Sequence, residues 1–329
     1  MMTSASSSGK WLHRFALLVA GATFVLIFIG GLVTSTDSGL SVPDWPNTYG
    51  YFMFSYPLSQ MVGGILYEHG HRMAASIVGM LMVILAAWLW WKEPRRWVKR
   101  LGLVALLLVI LQGVLGGLTV LFLLPTPISV AHGTLAQSFF GLTVCLALFT
   151  SPEWGKPRVK RPDAQRPPLF VLAVATTAAI FLQLILGAVM RHTKSGLAIP
   201  DFPLAFGRLI PPFDSTGIVI HFAHRLGALV VTALVIWTVT RVLRHHQEET
   251  ALYRPAVLLA IGLLLQLTLG ALTIWSQKAV IPTTAHVATG ALVLAAAIVL
   301  SVRAYQHLSV PMRVPAGEMA ATLPGASGV

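Results

Sequence analysis

Eight long apolar runs, separated by shorter polar breaks, follow one another along the chain. They fall at roughly 13–34, 67–91, 101–123, 130–149, 169–190, 221–243, 256–276 and 284–303. Each is long enough to cross a bilayer, which takes about 20 helical residues. In lipid every backbone polar group must be bonded internally, which leaves helices or closed barrels. The runs are too long and too evenly apolar for barrel strands, which alternate apolar and polar residues. The pattern predicts an all-α integral membrane protein with eight transmembrane helices.

Composition supports this reading. Of 329 residues, 56% are hydrophobic and only 10% charged, and the mean hydropathy is +0.77. A soluble domain carries about 25% charged residues. The net charge of +12 does not imply nucleic acid as a partner, because the cations follow topology. Seventeen of the 23 Lys and Arg lie before the first span, after the last, or just after spans two, four and six. Arg191, Lys194, Arg208 and Lys278 fall on the opposite side, and Arg72 and Arg225 lie inside spans two and six. The bias predicts cytoplasmic termini and a multi-pass protein of the cell's inner or plasma membrane. The first span is too long, and followed by too many others, to be a cleaved signal peptide. Cys145, the single cysteine, permits no disulfide within the chain and no Cys-x-x-Cys-His heme attachment. It reads as a small apolar filler.

The chain also repeats. Ser38-Gly39-Leu40-Ser41-Val42-Pro43-Asp44-Trp45-Pro46 matches Ser195-Gly196-Leu197-Ala198-Ile199-Pro200-Asp201-Phe202-Pro203, a step of 157. Leu111 to Thr119 matches Leu265 to Thr273, a step of 154. Two pseudo-symmetric four-helix bundles are predicted, at 13–150 and 169–306. A basic, Pro-rich cytoplasmic linker (151–168) joins them, between a cytoplasmic N-terminal tail (1–12) and C-terminal tail (307–329). Four spans per half make the repeat parallel, about an axis along the membrane normal. The long outer breaks, roughly 35–66 and 191–220, suggest ordered caps, with Trp45 and Phe202 as interfacial anchors. The first nine residues, and those from about Ser309 on, are expected to be disordered.

Within this repeat stand four histidines. His71 and His224 are 153 residues apart, and His132 and His286 are 154 apart. Each falls early in an even-numbered span, so all four are expected at one depth toward the outer side. Within each half, one imidazole faces another across the bundle, a standard way to hold a heme by both axial positions. Zinc is the rival metal. It needs a third or fourth ligand, which Glu68, His69 or His221 would have to supply. Arg72 and Arg225 each follow a candidate ligand and are suited to pair with heme propionates. The repeat fails at one informative place: Glu68 in the first half stands where His221 stands in the second. Glu68 is therefore a candidate for moving protons or stabilising charge at a reaction site.

The Glu68-His69-Gly70-His71-Arg72 motif, Ala131-His132-Gly133, His224-Arg225 and Ala285-His286 together resemble the heme A synthase family. So do Gly30-Gly31-Leu32-Val33-Thr34 and the Ser-Gly-Leu loop. The resemblance covers about residues 13–305. It implies a pair of four-helix bundles that oxidises a ring methyl of heme O to the formyl group of heme A, for terminal oxidase biogenesis. It implies heme b as cofactor on His224 and His286, with heme O as substrate near His71 and His132 and Glu68 important for catalysis. The implied partners are membrane lipid, the heme O synthase that makes the substrate and an unidentified electron acceptor; a homo-oligomer stays open. Loop cysteine pairs found in some members are absent at 35–66 and 191–220. The alternative is a di-heme membrane cytochrome that only transfers electrons. A transporter is a weaker reading, because no broken helix or midplane charge stands out.

Overall fold

The computed structural model describes residues 7–309. It is built of eight long helices: α1 (Ser7–Ser35), α2 (Gly64–Lys92), α3 (Arg96–Leu121), α4 (Thr126–Phe149), α5 (Leu169–His192), α6 (Thr216–His245), α7 (Thr250–Trp275) and α8 (Val280–His307). All eight have the length and composition to cross a membrane, and the chain is a multi-pass membrane protein. The helices run past the apolar segments at both ends. The 30 residues of α6 span about 45 Å at 1.5 Å per residue, against about 30 Å of hydrocarbon. The extra turns carry residues suited to the membrane–water boundary, such as the exposed Trp90 and Trp91 that close α2.

Local chemistry sets the helix ends. Glu93-Pro94-Arg95 separates α2 from α3, since Pro94 has no N–H to continue a helical ladder. Arg95 folds back there and donates from Nε to Glu93 (2.6 Å) and from Nη2 to the Phe149 carbonyl (2.7 Å). Ser215 caps α6 by accepting the Ile218 N–H (3.3 Å).

The helices pack in rings. α1 packs on α2 and α4, and α3 packs on the same two; α5 and α7 likewise each pack on α6 and α8. The halves meet along α1, α4, α5 and α8, where Ile27, Phe140 and Ala291 form a buried cluster. Backbone irregularities repeat with the sequence. Left-handed conformations occur at Asp37 and Lys194, Tyr49 and Phe206, Gly50 and Gly207, Leu123 and Gln277, and Leu124 and Lys278. These pairs keep the steps of 157 and 154.

The two long loops, 36–63 and 193–215, lie at one end of the molecule; the basic segments lie at the other. At the basic end, β1 (Arg161–Pro162) of the linker pairs in parallel with β2 (Leu308–Ser309), just past α8. Two expectations of disorder are thereby corrected. Ser7, Ser8 and Gly9 belong to α1, and Ser309 is held by the linker. The rest of both tails lies outside the described residues.

Candidate functional site

The four histidines sit within the first three turns of α2, α4, α6 and α8, at the loop end. In each half the two even-numbered helices occupy opposite corners of the ring. His71 and His132 lie within electrostatic reach of each other, as do His224 and His286.

Every one of these rings packs on a glycine of the preceding helix. A Cβ added to Gly30 would stand 3.1 Å from Cε1 of His71, and one on Gly116 3.2 Å from Cε1 of His132. The values are 3.1 Å for Gly187 against His224 and 3.2 Å for Gly270 against His286. Each helix hairpin is thus the same unit, a glycine on the odd helix and a histidine on the even one. Side-chain amides accompany three of the four. Gln112 Nε2 donates to the His132 carbonyl (3.0 Å) and lies 3.4 Å from its ring Nε2. Gln183 Nε2 donates to the His224 carbonyl (2.8 Å) and lies 3.1 Å from its Nδ1. Gln266 Nε2 lies 3.4 Å from His286 Nε2.

This arrangement suits a group held by two opposed imidazoles. Nδ1 of His71, His132 and His286 is buried without a hydrogen-bond partner, which is costly unless something else is bound. Among the described residues no three His, Cys, Asp or Glu side chains cluster as a metal site. The zinc alternative therefore loses its third ligand. His69 is hydrogen-bonded to Thr48 Oγ1 (3.0 Å), and His221 Nδ1 accepts the Ile199 N–H (3.2 Å). Two histidine pairs, one in each half, fit the two axial positions of a heme.

Glu68 is buried, and both its oxygens are engaged. Oε2 accepts the Val42 N–H (2.7 Å) and Oε1 pairs with Arg72 Nη2 (2.7 Å). His221 does the equivalent task for Ile199, the repeat counterpart of Val42. The mismatch between Glu68 and His221 is thus a difference of charge and of one further acceptor, taken by Arg72, at a shared loop latch.

The arginines also serve the loops. Arg72 Nη1 donates to the carbonyls of Asp44 (2.7 Å) and Asn47 (3.0 Å), and Nη2 to that of Val42 (2.8 Å) as well as to Glu68. Arg225 donates to the carbonyls of Leu204 (2.8 Å), Asp201 (2.6 Å) and Ile199 (3.3 Å). The terminal nitrogens expected to meet heme propionates bond loop carbonyls, and Arg225 Nε is buried without a partner. Each loop is closed further by an aspartate. Asp44 accepts the N–H groups of Tyr49 (2.8 Å) and Gly50 (2.9 Å), and Asp201 those of Phe206 (2.7 Å) and Gly207 (2.8 Å). The loop aromatics rest on the odd helices: a Cβ on Gly117 would meet the Trp45 indole at 2.5 Å, and Phe202 packs edge-on to Trp275.

Arg191 and His192, which close α5, stand between the halves. Arg191 Nη2 donates to the Gly31 carbonyl (2.9 Å) and Ser35 Oγ (2.8 Å) of α1. His192 lies within electrostatic reach of His132, and Arg191 of His286. The charge pattern counted Arg191 as a loop cation. Its repeat counterpart is Thr34, and that mismatch was the available signal.

Residues 13–298 match the family model described as cytochrome oxidase assembly protein (COX15-CtaA). The chain is 29% identical over 278 residues to a heme A synthase of Halalkalibacterium halodurans, covering 79% of this chain and 87% of the relative. It is 32% identical over 248 residues to a heme A synthase of Symbiobacterium thermophilum, covering 70% and 76%. A heme A synthase of Alkalihalophilus pseudofirmus is 26% identical over 260 residues, covering 77% and 84%.

Proposed function

The chain belongs to the cytochrome oxidase assembly protein family, and on that footing we propose that it is a heme A synthase. The observation that carries the reading is the fourfold histidine–glycine unit, which offers two sites with two opposed imidazoles each. Heme O is the proposed substrate, bound between His71 and His132. Heme b is the proposed cofactor, bound between His224 and His286, where it supplies one-electron redox chemistry. With water as the oxygen source the balance is R–CH3 + H2O → R–CHO + 4 H+ + 4 e−, in two successive oxidations through the alcohol. The electrons pass to an acceptor outside the chain. The basic end faces the cytoplasm by the positive-inside bias, which puts both heme sites toward the outer face of the cell membrane. Heme O arrives from the synthase that makes it.

The residues divide the work. The glycines give the imidazoles room to lie flat against the odd helices. The latches at Glu68 and His221, with Arg72 and Arg225, hold the loops over the mouths of the two sites and limit water. Glu68, the one acidic group at a latch, is the proposed catalytic carboxylate and the proposed acceptor of protons released from the substrate methyl.

The test is expression with a source of heme O, followed by extraction and mass analysis of the hemes. The expected product has gained one oxygen and lost two hydrogens. Heme O recovered unchanged from heme-loaded protein would leave an electron-transfer cytochrome instead. Glu68→Gln keeps an acceptor for the Val42 N–H and should still lose activity. Full activity in that variant would reduce Glu68 to a latch.

A further inference from the structure

We propose that Gln112, Gln183 and Gln266 are positioning residues that hold three of the four imidazoles. Leu26, at the fourth position, leaves His71 as the ligand that captures and releases the heme substrate. The inference rests on the assignment of the two halves made above and deepens it.

The pattern is positional. Gln112, Gln183 and Gln266 each stand four residues before the glycine under a histidine ring, at Gly116, Gly187 and Gly270. Four residues are one helical turn, so amide and glycine lie on one face. The residue four before Gly30 is Leu26, which keeps the 157-residue step to Gln183. The contacts follow this pattern. His132, His224 and His286 each have a glutamine amide within 3.4 Å of a ring nitrogen. Nδ1 is buried without a partner in His71, His132 and His286 alike, but among the described residues His71 alone of the four has no side-chain amide at its other ring nitrogen or at Nδ1. Glu68 and Arg72, on its own helix, bond to each other and to the loop.

The chemistry gives the pattern its meaning. A metal-ligating imidazole is oriented by a hydrogen bond at its other nitrogen, and losing that partner costs about 10–100-fold in metal affinity. Amide oxygen and nitrogen exchange places on rotation of the group. Oε1 of Gln266 is buried without a donor, so rotation of its amide brings an acceptor to the His286 ring N–H, while Gln112 and Gln183 are fixed by donating Nε2 to the carbonyl of the histidine they accompany. Leucine has no atom for this task. The second half therefore has two held ligands, as a resident cofactor requires. The first half has one held ligand and one free, as a site requires when it takes in one heme and lets another go.

The test uses the purified full chain in detergent, loaded with hemin alone, and follows transfer of heme to excess apomyoglobin. Wild type should release heme in a fast and a slow phase. Leu26→Gln should slow the fast phase by about tenfold or more and leave the slow phase alone. Gln266→Leu should accelerate the slow phase by about 10–100-fold, and Gln266→Glu, which keeps an acceptor beside the His286 ring, should restore it. If Leu26→Gln does not fold, the two Gln266 variants decide. Unchanged phases in the folded variants would overturn the proposal, as would equal effects of Gln266→Leu and Gln266→Glu. No turnover enters this measurement. Protein that shows these phases yet makes no heme A sinks the functional reading alone; protein that makes heme A with unaltered phases sinks this one alone.

Discussion

Adding one methyl group at Gly187 should damage the site more than it helps the helix. Gly→Ala inside a helix is intrinsically favourable by about 1 kcal/mol. At Gly187 the new Cβ would stand 3.1 Å from Cε1 of His224 and 3.6 Å from its Nδ1. Carbon atoms prefer about 3.5–4.0 Å, so something must move by roughly half an ångström. The ring cannot yield freely, because Gln183 Nε2 contacts both its Nδ1 (3.1 Å) and the His224 carbonyl (2.8 Å). Overpacking of this kind costs about 1–3 kcal/mol, which cancels or outweighs the propensity gain. Gly21, in α1, has no neighbouring atom within 4 Å of its added Cβ, so Gly21→Ala takes the gain without the cost. The two variants should differ by about 1–3 kcal/mol, with Gly187→Ala the less stable. Heme retention should fall by about tenfold for each 1.4 kcal/mol lost at the ligand. The assay is heme per protein after gel filtration in detergent, alongside thermal unfolding. Gly187→Ala that keeps its full heme complement and gains as much stability as Gly21→Ala would refute the reasoning.

Three further outcomes follow from the same geometry. His286→Ala should lose the slowly released heme while the loops keep their protease resistance; loss of only the rapidly released heme would invert the assignment of the halves. Arg72→Ala removes the partner of buried Glu68, a change that costs about 3–5 kcal/mol for a buried pair. Cleavage in loop 36–63 should then rise well before any in loop 193–215, and equal cleavage in both would contradict the local latch. The third concerns pH. Bonds from the Gly207 and Phe206 N–H groups hold Asp201 below the ordinary carboxylate range. At Asp44 burial pushes upward, but the N–H groups of Gly50 and Tyr49 and the charge of Arg72 outweigh it. A lowered folded value means that the stabilisation is complete above the unfolded pKa of about 3.9 and fades as pH falls through the folded value. Loop protease resistance should thus hold from pH 7 to 5 and drop only below about 4; a drop near pH 6 would point to other groups.

The eight spans and the four histidines were legible in the sequence because both are carried by spacing along one strand of text. Apolar runs reveal themselves by length, and His71 and His224 by a fixed step. The glycine under each ring was harder to read. Gly187 and His224 are 37 positions apart, and only the register of α5 against α6 brings them together. Glycines are common in membrane helices for ordinary packing, so position alone did not single these out. The glutamines were hidden for the same reason, although Gln112 and Gln266 stood in view within the 154-residue repeat. The arginines show the opposite difficulty. A cation beside a heme ligand reads naturally as a propionate partner. The loops, however, are Pro-rich and largely irregular, and they offer carbonyls with no ladder to join. Arg72 and Arg225 take those nearest acceptors.

The meeting of α8 with α1 bears on how the protein is made. Thr284 Oγ1 donates to Ser35 Oγ at 2.9 Å across 249 residues, and the methyl of Thr284 lies over Gly31. α8 is the last of the described spans to leave the ribosome and α1 the first. The face of α1 that carries Ile27, Gly31 and Ser35 is therefore covered only in part, by Phe140 of α4 and Arg191 of α5, until α8 is inserted. His224 waits as well, without the imidazole it will face. The first half cannot be completed by its own synthesis alone, and a chain stalled before α8 would present an open seam to lipid and to the quality-control proteases that read such seams.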